Sequence, residues 1–349
     1  MRSQVKIEEE NNVKLQHETM GAWSYWHPPK KADADSVFSV GEFARRQRAR
    51  DDLDSTLQAR GMKAVAENTP AAASVSFMDL SVEAECFGAT VTVTDDEVPT
   101  IKGRIINDAD EAEALAVPTV GSGRTQIYLD AIQKAKESIT DRPILAGMIG
   151  PFSLAARLFD VSEIMMDCYD DPDMVHTVLQ KCTQFLIAYA KAYREVGADG
   201  IVMAEPVAGL LSPSLEEEFS APYVKQIVDA VQNDDFIVIY HNCGDNVPKM
   251  LPSILSTGAA AYHFGNAVDL EKDILKKVPA DVVVMGNIDP VGVFRMGTPE
   301  SVRAATTELL KKCTPYPNFV LSSGCDMPPK TPWENINAFF SAAEEFYRG

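Results

Sequence analysis

The sequence predicts an α/β fold, a (β/α)8 TIM-type barrel preceded by an N-terminal helical and loop extension. Three observations predict it. From about residue 74 onward, short apolar runs alternate with helix-like segments, which implies parallel strands joined by right-handed crossovers. Side chains able to do chemistry gather where the apolar runs end: Asp79, Glu205, His241, Cys243, Asn287 and Cys325. A barrel builds its active site there, from the loops that follow its strands. Finally, no glycine-rich phosphate loop follows the first strand, a feature that an open doubly wound sheet would more often carry.

The extension covers residues 1–75 and the barrel residues 76–349. Within the extension, Met20 to Pro29 reads as an aromatic, proline-stopped loop in which His27 packs or faces solvent. Ser39 to Glu67 reads as a helix rich in arginine (Arg45, Arg46, Arg48, Arg50), either a grip for an anionic substrate or a solvated face. Ser76 to Glu83 reads as a strand carrying Asp79 and Glu83 at its end, and Val91 to Ile101 alternates as a hairpin. Ile127 to Ile139 is amphipathic, Pro143 to Gly150 is an apolar strand, and Asp173 to Val196 is one long helix stopped by Gly197. Its His176 and Cys182 read as packing residues. The strand from Gly200 ends in Glu205, and Ser214 to Val231 is a helix with an acidic first turn.

Next comes Phe236-Ile-Val-Ile-Tyr-His-Asn-Cys-Gly-Asp245, a run suited to burial on both faces that meets a polar cluster and a glycine. A helix over Val247 to Leu255, a strand over Ala259 to Phe264, a helix over Leu270 to Val278 and a strand over Asp281 to Asn287 follow. The last units are a helix over Thr298 to Cys313, a strand over Phe319 to Ser322 and a helix over Trp333 to Tyr347.

With 32 Lys and Arg against 51 Asp and Glu, the formal charge is −19, which argues against a nucleic-acid partner. The six cysteines form no compact disulfide framework, no secretory signal opens the chain, and no uncharged run reaches membrane-spanning length. A reducing, cytoplasmic setting is expected.

Strand side chains alternate with a period of two, so His241 and Cys243 point the same way at the end of their strand. Cys325 ends a second strand of the same build, Asn318-Phe-Val-Leu-Ser-Ser-Gly-Cys-Asp326. One imidazole and two thiolates suit zinc and disfavour magnesium or calcium, which prefer oxygen. Three ligands from strand ends, with no CxxC pair in the chain, fit a site that leaves one position open. Such a zinc ion favours the thiolate form of a bound thiol, and the thiolate is the nucleophile.

Several segments resemble one superfamily, the uroporphyrinogen decarboxylase-like proteins, and more narrowly their zinc-dependent corrinoid methyltransferase branch. That branch includes methylcobamide:coenzyme M methyltransferases. The likeness runs over roughly residues 76–349: Met78-Asp-Leu-Ser-Val-Glu-Ala-Glu-Cys-Phe-Gly88, Gly150-Pro-Phe-Ser153, Gly197-Ala-Asp-Gly-Ile-Val-Met-Ala-Glu-Pro206, His241-Asn-Cys-Gly244, Gly286-Asn287, Gly324-Cys325 and Pro332-Trp-Glu-Asn335. The branch's H-x-C and distant C signature falls on His241, Cys243 and Cys325. The resemblance implies a zinc ion on those residues and methyl transfer between a corrinoid (methylcobamide or cobalamin) on a separate carrier protein and an acceptor. The acceptor would be coenzyme M, another thiol or tetrahydrofolate. Glu205 and Asp79 would orient the acceptor or take its proton, unless they serve as structural hydrogen-bonding groups, and Asn287 would line the cofactor site. Departures stand at Glu205, where relatives often have Asp, and in the first 70 residues, which lack the family's usual opening. The arginine-rich motif with which decarboxylases of the superfamily grip porphyrinogen carboxylates is absent too. Alternatives are the opposite direction, from a methoxy compound or methylated amine to the corrinoid, a porphyrinogen decarboxylase, and a non-catalytic protein that docks the corrinoid carrier.

Overall fold

The computed structural model describes residues 54–92, 99–328 and 330–348. Helix α1 (Ser55–Asn68) starts where the Asp54 carboxylate accepts from the N–H groups of Thr56 and Leu57. Its buried Gln58, Ala59, Met62 and Ala66 lie along one stripe. Strand β1 (Ser74–Val75), helix α2 (Val82–Cys86) and the antiparallel pair β2 (Thr90–Thr92) and β3 (Thr100–Lys102) come next. They lead into α3 (Ala109–Ala114) and α4 (Thr125–Ser138). Strand β4 (Ile144–Ile149) is buried at all six positions, as a strand between two packed layers must be. Three helices follow, α5 (Pro151–Phe159), α6 (Val161–Asp170) and α7 (Pro172–Glu195).

After β5 (Gly200–Ala204) come α8 (Pro213–Phe219), α9 (Ala221–Val231), β6 (Ile237–Asn242), α10 (Val247–Ser256) and β7 (Ala261–Phe264). A π-helical turn (Leu270–Leu275) leads to β8 (Val283–Ile288), and a second (Pro290–Arg295) to α11 (Pro299–Cys313). Strand β9 (Phe319–Ser323) and α12 (Trp333–Arg348) close the described chain.

Among the described residues, seven strands form one curled, all-parallel sheet in the order β1-β4-β5-β6-β7-β8-β9. Apart from the place taken by the β2–β3 hairpin, spatial order follows chain order, the sequential winding of a TIM-type barrel. One core lies between sheet and helices, where Phe152, Phe185, Tyr189, Phe219 and Phe236 are fully buried. A smaller cluster of Leu145, Ile239 and Ala261, flanked by Val202, Ile237 and Met285, occupies the opposite, inner face. In-register residues of parallel strands share a face. His241, His263 and Met285 occupy one such row, so both histidines project from the inner face above Ile239 and Ala261. No described helix is long and apolar enough to cross a membrane, and all six cysteines are free thiols.

Several expectations are corrected. Ser76 to Glu83 is not a strand: β1 ends at Val75, the chain turns at Asp79, whose carboxylate accepts from Ser81 N–H, and Glu83 lies in α2. The segment Ser214 to Val231 is two helices. Pro222 stands in the first turn of α9 and has no N–H to give the Glu218 oxygen four residues back, so the α8 ladder cannot continue and the chain restarts after Ser220. The helix read from Ser39 is described only from Ser55. The loop at Met20 to Pro29 and the arginines at positions 45, 46, 48 and 50 lie outside the described residues.

Candidate metal centre

His241 lies in β6, Cys243 one residue beyond it, and Cys325 two residues beyond β9. Their ligand atoms all lie within 4.8 Å of one another, and Cys325 Sγ is 3.6 Å from His241 Nε2. Tetrahedral zinc holds nitrogen at about 2.0–2.1 Å and thiolate at about 2.3 Å, which puts its ligand atoms roughly 3.5–3.8 Å apart. The three residues therefore fit one ion with only small side-chain rotations. His241 Nδ1 lies 3.2 Å from the backbone oxygen of His263. A carbonyl only accepts, so Nδ1 carries the proton and the lone pair sits on Nε2, the nitrogen that faces the sulfurs. The contact with Cys325 brings the Cys243 thiol down to about 7, and the same contact raises the Cys325 thiol to about 12.

Glycines let the strand-end loops close on this cluster. A Cβ on Gly265 would stand 2.7 Å from both Cα and Cβ of Cys243, and one on Gly324 would stand 2.7 Å from Asn266 N. Gly209 and Gly244 meet backbone to backbone behind Cys243. Asn287 serves the same loops. Its amide donates to the oxygens of Gly265 (3.0 Å) and Val268 (2.9 Å), which pins the segment that backs Cys243. A groove of about 450 Å³ between Asn266, Asn287 and Asp289 on one side and Glu308 and Lys312 of α11 on the other touches Asn287, but none of the three soft ligands lines it.

The two acids are not brought to the cluster. Ala204 pairs with His241 and shares its face, so Glu205, the next residue, points to the helix layer. There its carboxylate caps α5, accepting from Phe152 N (2.9 Å), Ser153 N (2.9 Å) and Ser153 Oγ (2.6 Å). Burial pushes it up to about 7 against these hydrogen bonds. Gly150 makes room for this, since a Cβ there would stand 2.4 Å from the Glu205 carboxyl carbon. Asp79 is held by buried Arg124 and by the hydroxyl of Ser81, while Arg124 also reaches Glu85 at 2.6 Å. Sequence reasoning gave no role to Arg124, Ser153 or His263. The signal for His263 was there: Ala261-Tyr-His-Phe-Gly265 repeats the strand, histidine and glycine build of β6.

The uroporphyrinogen decarboxylase (URO-D) family profile matches residues 53–346. The methylcobamide:CoM methyltransferase MtbA of Methanosarcina acetivorans is 31% identical over 272 residues, 77% of this chain and 78% of that protein. A uroporphyrinogen decarboxylase of Coxiella burnetii is 28% identical over 288 residues, 79% of this chain and 78% of its own length. Among solved structures, a methyltransferase from Methanosarcina mazei superposes with a TM-score of 0.82 at 25% identity, covering 95% of this chain and 99% of that one.

Proposed function

The chain belongs to the uroporphyrinogen decarboxylase (URO-D) family, and within it we propose a zinc-dependent methyltransferase that moves a methyl group between a corrinoid and a small acceptor. A thiol such as coenzyme M suits the acceptor role best, and a separate corrinoid carrier protein would be the partner. The observation that carries this reading is the convergence of His241, Cys243 and Cys325, with the His241 lone pair on Nε2 facing the sulfurs. The similarity to a methyltransferase named for methylcobamide and CoM supports it.

In this reading His241, Cys243 and Cys325 hold the zinc ion and leave one position for the acceptor. Bound zinc supplies Lewis acidity that keeps an acceptor thiol deprotonated near neutral pH. Ile239 and Ala261 lie one inner-face row below His241 and His263 and make that side of the site apolar. Glu205 and Asp79 act by holding the barrel mouth, through the α5 cap and the Arg124 pair, rather than by moving a proton.

The experiment is the visible spectrum of methylcobalamin with anaerobic, zinc-loaded protein and a panel of coenzyme M, homocysteine and tetrahydrofolate. Acceptor-dependent conversion to the cob(I)alamin spectrum is the expected result. No change with any acceptor would refute transfer in this direction. The decarboxylase relatives carry a second reading; it would gain ground if metal-free protein decarboxylated a porphyrinogen.

A further inference from the structure

His263 occupies the inner face of β7, in register with His241 of β6 on one side and Met285 of β8 on the other. It touches the metal cluster twice. Its backbone oxygen accepts from His241 Nδ1 at 3.2 Å, and its ring lies 4.6 Å from the His241 ring, inclined by 32°. Its side chain reaches in the opposite direction, where Nε2 lies 2.7 Å from the backbone oxygen of Ser323. That oxygen can only accept, so His263 Nε2 carries a proton and donates it.

The second bond is unusual for its path. Strand order places β8 between β7 and β9, so the imidazole bridges two strands that are not neighbours in the sheet. Such a bridge is possible only across the concave interior. It ends on Ser323, two residues before Cys325. One residue thus ties together the segments that carry the imidazole ligand and the distal thiolate, which no adjacent pair of strands would do.

We infer that His263 is a positioning residue for the metal site. Its carbonyl sets the proton of His241 on Nδ1, and its side chain draws the end of β9 inward so that Cys325 comes within coordination reach of His241 Nε2. The inference rests on the metal reading above, but concerns a residue that does not itself coordinate. Backbone hydrogen bonds hold β9 to β8 as far as Gly324, whose N–H donates to the Ile288 oxygen at 2.7 Å, and the His263 bridge adds a tether from the other side of β8 on Ser323, just before the residue that carries the thiolate. Loss of a supporting hydrogen bond to a metal site typically costs about 10–100-fold in affinity.

The test compares His263→Gln with His263→Asn. Glutamine places an amide N–H at about the reach of the histidine Nε2, whereas asparagine falls short of Ser323. Zinc affinity would be read by chelator competition on full-length protein, and the metal-free melting temperature of each variant alongside. The expected result is a zinc affinity for His263→Gln within a few-fold of wild type and a loss of about 10–100-fold for His263→Asn, with similar metal-free melting temperatures. Two results would overturn the inference: wild-type affinity in His263→Asn, or equal loss in both variants. Wild-type protein that binds no zinc would instead overturn the metal reading on which it stands.

Discussion

Cys325 is the residue most distant in sequence from its partners, and the site depends on it. Cys325→Ser replaces a soft thiolate by a hydroxyl that stays protonated, so zinc affinity and methyl transfer should fall together, with far-UV circular dichroism unchanged. The loss should exceed the roughly 10–100-fold typical of supporting residues, and full turnover without metal would contradict the assignment. Asp79 calls for the reverse outcome. Its carboxylate pairs with Arg124 at side-chain exposures of 4% and 6%, too buried for water to replace the partner. Removing one member of such a pair costs about 3–5 kcal/mol. Arg124→Leu should therefore lower stability by about that amount in urea titrations, while the folded fraction keeps its zinc affinity. A large loss of zinc affinity with little loss of stability would return these groups to the chemistry.

At the scale of elements, glycine contacts and a buried cap hold the strand ends. Gly265→Ala puts a methyl group into the Cys243 backbone, and overpacking of this kind costs about 1–3 kcal/mol. The strain falls on a ligand-bearing loop, so zinc affinity should also drop, by about tenfold, in chelator competition. Unchanged affinity would show that the β6 loop has room to yield. The α5 cap gives a pH signature. Burial pushes Glu205 up to about 7 from an ordinary 4.5, so the folded state holds this proton more tightly than the unfolded chain does. That contribution to stability is full below pH 4.5 and is lost as pH rises through 7, up to about 3 kcal/mol by linkage. Glu83 and Glu216 are pushed up to about 7 by burial as well. Melting temperature should therefore decline between pH 5 and 8, and Glu205→Gln should flatten part of that decline. An equally steep profile in Glu205→Gln would assign the effect to the other two acids.

Across the whole molecule, much of the barrel was legible because buried parallel strands write themselves as uninterrupted apolar runs, as Ile144–Ile149 does. His241, Cys243 and Cys325 could be singled out because strand ends face one mouth, whatever the separation in sequence. What escaped depends on contacts rather than patterns. Glu205 looked like a site acid, yet one position of strand alternation turns it to the helices, and only the register with His241 reveals this. His263 gains its role from a bond across β8 that no spacing encodes. The break at Ser220 was readable in Pro222, but the apolar period of the two flanking helices concealed it. Zinc held in this mouth by one imidazole and two thiolates has a direct signature in the zinc K-edge X-ray absorption of the purified protein. The expected result is one zinc per chain with two sulfur ligands from the chain at about 2.3 Å and one nitrogen at about 2.0–2.1 Å. A shell of oxygen and nitrogen alone, or no bound zinc, would contradict it.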